Sequence, residues 1–135
     1  MPATILIVED HEAVRKALRD WLGVEFPSCR VIEATSGEEA IALARAESPH
    51  LIVMDIRLPG MNGIEATRQI KAAFPCTQIV MLTIHTNDLY RTDAGMAGAS
   101  AYITKQGMYS ELVPTLAALL ANSATKQQNT CLGEP

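Results

Sequence analysis

Apolar residues in this chain follow two alternating patterns: short unbroken runs, and longer stretches in which they recur every three or four positions. The clear runs are Thr4 to Val8, Leu51 to Met54, Gln78 to Leu82 and Ala101 to Thr104, mostly Ile, Val and Leu without polar alternation. Runs of that length fit strands covered on both faces, as in parallel sheets. Arg30 to Ala34 is a fifth, weaker run. Between them, Val14, Ala17, Leu18, Trp21 and Leu22 share one helical face, and Leu112, Leu116, Leu119 and Leu120 repeat that stripe. Ser36 with Glu39, and Asn62 with Glu65, each set a side-chain acceptor ahead of a helix with a Glu three residues on. The helix after Asn62 is expected to bury Ile64, Thr67, Ile70 and Phe74 and to end at Pro75. A fourth helix, from about Asn87 to Ala97, has Leu89 and Met96 as its anchors and should be the loosest. Pro114 suits the last helix if Ser110 caps it, because a missing N–H costs little in a first turn.

Strand and helix thus alternate five times with short connections. This predicts a single α/β domain, a parallel five-stranded sheet with right-handed crossovers and helices on both faces. The 135 residues suffice for one hydrophobic core, assigned to residues 1–121. From Asn122 to Pro135 the sequence turns polar and aperiodic and reads as a tail or linker stub.

Charge narrows the partners. Fifteen Asp and Glu against eleven Lys and Arg give a net charge of -4, and no basic run offers a footprint for nucleic acid. A cation is the expected small partner. No apolar run approaches membrane-spanning length, and Glu9 and Asp10 come too early for a secretion signal. Cys29, Cys76 and Cys131 are odd in number and far apart, matching neither a disulfide framework nor zinc-ligand spacing. A soluble protein of the reducing cytoplasm is expected. His11, His50 and His85 follow different elements without a partner at ligand spacing, and are read as ordinary surface histidines. Trp21 and the six methionines are read as packing residues.

In an open α/β sheet, ligands bind beyond the carboxyl ends of the strands. The residues there are Glu9 and Asp10 after the first run, Asp55 after the third, Thr83 after the fourth and Lys105 after the fifth. Each has a plainer role available: Asp10 as a helix cap, Asp55 as a loop acid, Thr83 as a strand-end hydroxyl, Lys105 as a turn charge. Together, those plainer roles require four coincidences. Three adjacent carboxylates raise one another's pKa unless a cation sits among them, and few protein ligands beside a phosphate favour Mg2+ over Ca2+. With that charge offset, a carboxylate can attack phosphorus, while Lys105 and Thr83 hold the remaining phosphoryl oxygens.

The segments Ile5-Leu6-Ile7-Val8-Glu9-Asp10, Met54-Asp55, Leu58-Pro59-Gly60-Met61-Asn62-Gly63, Met81-Leu82-Thr83 and Gly98-Ala99-Ser100-Ala101-Tyr102-Ile103-Thr104-Lys105 resemble the receiver domains of bacterial two-component response regulators. The resemblance spans residues 4 to about 121. It implies the flavodoxin-like strand order 2-1-3-4-5, the order the family member CheY exemplifies. It also implies that Asp55 accepts a phosphoryl group from a sensor histidine kinase, and that Glu9, Asp10, Asp55 and the backbone carbonyl of Arg57 organise Mg2+. Thr83 and Tyr102 look like the family's switch pair, reshaping the face formed by the fourth helix, fifth strand and fifth helix.

Two departures stand out. Ile84 replaces the small residue that many relatives carry after the switch hydroxyl, so phosphoryl exchange should be slower than with alanine. Gln106 and Gly107 follow Lys105, where many relatives have a proline. That feature resembles the branch whose receivers precede a helix-turn-helix DNA-binding domain, implying transcriptional output and possible receiver homodimers. The alternatives are a stand-alone or phosphorylation-independent protein-docking receiver and a magnesium-dependent phosphatase with an aspartate nucleophile. Against the phosphatase, Arg57 stands where such enzymes carry a general acid, so the expectation is a phosphoacceptor rather than an enzyme.

Overall fold

The computed structural model describes residues 3–84 and 87–126, with side chains to residue 121. His85 and Cys131 lie outside these residues. Five strands alternate with five helices: β1 Thr4–Val8, α1 Glu12–Glu25, β2 Arg30–Ala34, α2 Gly37–Glu47, β3 Leu51–Met54, α3 Gly63–Ala73, β4 Gln78–Thr83, α4 Asp88–Ala97, β5 Ala101–Thr104 and α5 Met108–Lys126. The strands form one parallel sheet in the order β2-β1-β3-β4-β5.

The unbroken apolar runs are explained by two-sided burial. Leu6, Val8, Ile52, Met54, Ile79 and Met81 face the side covered by α2, α3 and α4. Ile5, Ile7, Leu51, Val53, Val80 and Leu82 face the other side, against Leu18 and Leu22 of α1 and Leu112 and Leu116 of α5. With a helix layer on each face, consecutive residues point in opposite directions and both still leave water.

The two marked helix starts form as their sequences require. Ser36 accepts from the backbone N–H of Glu39 at 3.1 Å, and Asn62 accepts from that of Glu65 at 2.9 Å. Glu39 reaches back to the Thr35 N–H at 2.8 Å, whereas Glu65 pairs forward with Arg68 and Gln69.

Four expectations need correction. Leu89 and Met96 do not anchor α4: they are 71% and 81% exposed, and the helix is held instead by buried Ala94 and Ala97 and partly buried Tyr90. Small residues let α4 lie close to its neighbours, so its large apolar side chains are left facing out. Ser110 does not cap α5, which begins at Met108, so Pro114 lies inside the helix. Pro114 and Ser110, whose carbonyl would have met the missing N–H, are both exposed residues. The helix also runs past residue 121 to Lys126, because Ala121 to Lys126 contains neither glycine nor proline to stop it. Finally, Cys76 is disulfide-bonded while Cys29 is free, which the cysteine spacing did not reveal. Among the described residues, no helix is long and apolar enough to cross a membrane.

Candidate functional site

The strand ladder itself positions the site. Glu9, Asp55 and Lys105 each lie just past a strand, yet each backbone N–H still bonds to a neighbouring strand, to Ala34 O at 3.1 Å, Val8 O at 3.1 Å and Thr83 O at 2.8 Å. Three residues separated by up to 96 positions are thereby fixed at one edge of the sheet.

Their side chains converge. Lys105 Nζ lies 2.8 Å from Glu9 Oε1 and 3.5 Å from Asp55 Oδ2. Glu9 and Asp55 are buried, at 1% and 7% exposure, so one ammonium faces two carboxylates in a largely dry pocket. Asp55 Oδ1 accepts from the Ile56 N–H at 2.7 Å, which leaves Oδ2 turned toward the lysine. Arg15 donates to the Glu9 carbonyl at 3.1 Å and to Glu33 at 3.0 Å, steadying the strand end from α1.

The charge balance sets the pKa directions. Burial and the neighbouring Glu9 charge push Asp55 above the ordinary aspartate range, only partly offset by Lys105. Burial also raises Glu9, but hydrogen bonds from Lys105 and the His11 backbone outweigh it and hold Glu9 below its usual value. Burial acts to lower Lys105, yet its bond to Glu9 and the Asp55 charge leave it raised. The pocket carries one more negative than positive charge from these three residues, and it suits a hard cation.

Asp10 does not cap α1; His11 occupies that position, without a side-chain cap bond. Asp10 is instead exposed beside the pocket, its Oδ1 3.3 Å from His11 Nδ1. The same Nδ1 lies 3.1 Å from Glu9 Oε2, at hydrogen-bond distance. Arg57 is exposed on the β3 to α3 loop, two residues after Asp55.

Thr83 is fully buried at the end of β4, next to the backbone of Lys105. Tyr102 lies one strand over, paired in register with Met81 and only half-buried. Arg91 of α4 stacks on its ring at 4.6 Å from the centroid and approaches its carbonyl at 3.5 Å. Eleven residues separate Arg91 from Tyr102, so no local signal announces the pair. Gly63 was quoted only within a motif, yet its place is strictly steric: an added Cβ would lie 2.0 Å from the Asp55 carbonyl oxygen.

This chain belongs to the response regulator receiver domain family, which it matches over residues 5–117. It is 33% identical over 118 residues to the response regulator GacA of Pseudomonas protegens, covering 87% of this chain and 55% of that protein. It is 42% identical over 102 residues to the DNA-binding transcriptional activator DevR/DosR of Mycobacterium tuberculosis, covering 75% of this chain and 46% of that one. Among solved structures, a LuxR-family two-component response regulator from Aurantimonas sp. SI85-9A1 is 38% identical, with a TM-score of 0.84 over 90% of this chain and 87% of that one. The chain spans about half the length of the curated relatives it matches. The resemblance to receivers of DNA-binding regulators is thus borne out, as is the strand order.

Proposed function

We propose that this receiver is a phosphorylation switch in which Asp55 accepts a phosphoryl group from the phosphohistidine of a sensor kinase. The observation that carries this reading is the bridge from Lys105 Nζ to Glu9 and Asp55, which brings a cation beside a carboxylate whose other oxygen is already fixed. Asp55 Oδ2 attacks phosphorus, the bond from phosphorus to imidazole nitrogen breaks with its electron pair staying on nitrogen, and the ring, already protonated on its other nitrogen, leaves as neutral imidazole. Asp10, the Asp55 carboxylate and the Arg57 carbonyl would hold Mg2+, with Glu9 supporting them. When bound, the ion offsets phosphoryl charge. Lys105 takes up the phosphoryl charge as it arrives, and the Thr83 hydroxyl turns toward it.

Movement of Thr83 frees space for the Tyr102 ring, and the face formed by α4, β5 and α5 changes shape. The domain, from the start of the chain to the end of α5, then signals to a DNA-binding output domain beyond this chain, and receiver homodimers accompany activation. The protein works in the cytoplasm, where the kinase's phosphohistidine is presented. Arg57 supplies no general acid two residues after Asp55, which supports a phosphoacceptor with at most slow self-dephosphorylation over a phosphatase.

The test is intact mass after incubation with Mg2+ and a small acyl-phosphate donor. A single phosphoryl adduct is expected on the wild type and none on Asp55→Asn. Sustained donor hydrolysis would favour the phosphatase, and an unmodified wild type would favour a docking module.

A further inference from the structure

We infer that Arg91 is a positioning residue for the switch: its guanidinium holds the Tyr102 ring in its resting place, and phosphorylation of Asp55 breaks that stack when the face formed by α4, β5 and α5 changes shape. The inference deepens the proposed function and rests on its reading of Tyr102 as the moving ring.

Three observations carry it. Tyr102 is in register with Met81, and Thr104 with Thr83, so the ring and the Thr83 side chain lie on one face of neighbouring strands, the face that α4 covers. Next, the Arg91 guanidinium carbon sits 4.6 Å from the centre of that ring, within the range of a cation–π contact, while Arg91 Nη1 lies 3.5 Å from the Tyr102 carbonyl oxygen. The carbonyl belongs to the strand, so the guanidinium is placed against backbone that stays where it is when the side chain turns. The ring therefore leaves the stack instead of taking Arg91 with it. Finally, the buried anchors of α4, Ala94 and Ala97, lie in its second half, and the half that begins at Asp88 is exposed apart from partly buried Tyr90. Arg91 ties this less anchored half to β5, so one contact restrains both the ring and the start of the helix. The competing account is a surface contact with no bearing on switching.

The two accounts differ in how tightly the pocket takes a phosphoryl mimic. A ligand that favours the turned ring must break the stack, so removing Arg91 returns that cost as affinity. Beryllofluoride is titrated into the full chain with saturating MgCl2, and bound fluoride is read by fluorine NMR, for the wild type, Arg91→Ala, Tyr102→Leu, the double variant and Asp55→Asn. Arg91→Ala should bind about two- to fivefold more tightly than the wild type, the worth of one exposed cation–π contact. In the Tyr102→Leu background the same change should leave affinity unaltered, because the ring it restrains is gone. Unchanged or weaker binding by Arg91→Ala would overturn the inference. So would an equal gain in both backgrounds, the mark of a general loosening of α4. A wild type that does not bind, or an Asp55→Asn that binds equally well, would instead remove the proposed function, and this inference with it.

Discussion

Gly63 offers the sharpest test of how the fold holds the phosphoacceptor. It opens α3, its backbone N–H donates to the Ile56 carbonyl at 2.8 Å, and it lies directly against the loop that carries Asp55. A Cβ at this position would sit 2.0 Å from the Asp55 carbonyl oxygen, 2.9 Å from its carbon and 3.0 Å from Met54 Cγ. The first two obstacles are backbone, so no side chain can swing away. Relieving the clash in Gly63→Ala requires the loop and the helix start to part by roughly 1 Å, an overpacking that costs on the order of 1–3 kcal/mol. Weakening the bond to Ile56 adds about 0.5–1.5 kcal/mol. The expected loss is about 2–4 kcal/mol in urea unfolding, which a domain of ordinary stability survives. Because the displaced atoms belong to Asp55, phosphorylation by a small donor should also slow by roughly a hundredfold, the usual consequence of misplacing a reacting group by that distance. Gly23→Ala is the control: nothing lies within 4 Å of its added Cβ, and the change should stabilise α1. That gain should be about 0.4–1 kcal/mol. If Gly63→Ala stays within about 0.5 kcal/mol of the wild type and is phosphorylated at the same rate, the close approach is not what positions Asp55.

The remaining expectations concern the pocket and its rim. The folded state raises the Asp55 pKa, so that group favours folding most below the ordinary aspartate range and loses this contribution as pH rises through the raised value. Asp55→Asn should therefore raise the thermal midpoint at neutral pH without divalent ions, and flatten that fall; a lower midpoint would contradict the charge balance. Glu9 behaves in the opposite sense: its stabilising contribution is present above the ordinary glutamate range and lost as pH falls through its lowered value, a loss Glu9→Gln should abolish in acid titrations. Lys105→Met leaves two buried carboxylates uncompensated and should cost roughly 1–3 kcal/mol in denaturant melts, less in a Glu9→Gln background. Mg2+ at ten times its dissociation constant should stabilise the wild type by about 1.4 kcal/mol, and Asp55→Asn by less at the same concentration. Ile84, 69% exposed just past β4, should slow phosphoryl exchange, so Ile84→Ala should be phosphorylated and dephosphorylated faster; equal rates would dismiss the screening idea.

What the sequence disclosed and what it hid divide along a physical line. Strand positions were legible because burial on both faces demands unbroken apolar runs, and Leu51 to Met54 has no other economical fate. The convergence of Glu9, Asp55 and Lys105 followed from that: in a parallel sheet every strand's carboxyl end lies at the same edge, so the first residue past each run meets the others. Features set by the packing of one helix on its neighbours were not legible. The loose character expected of α4 was inferred from few large apolar residues, but its contact is made by Ala94 and Ala97, whose small size carries no periodic signal. Its large residues face solvent instead, and its grip on β5 runs through Arg91, a residue that reads as surface charge. The steric role of Gly63 was hidden for the same reason, since a close approach between backbones is visible only once both are placed. The edge of the sheet that does the chemistry is thus fixed by strand burial. The tuning of that edge falls to helix-borne residues, Arg15, Gly63 and Arg91, whose contacts lie outside any periodic pattern.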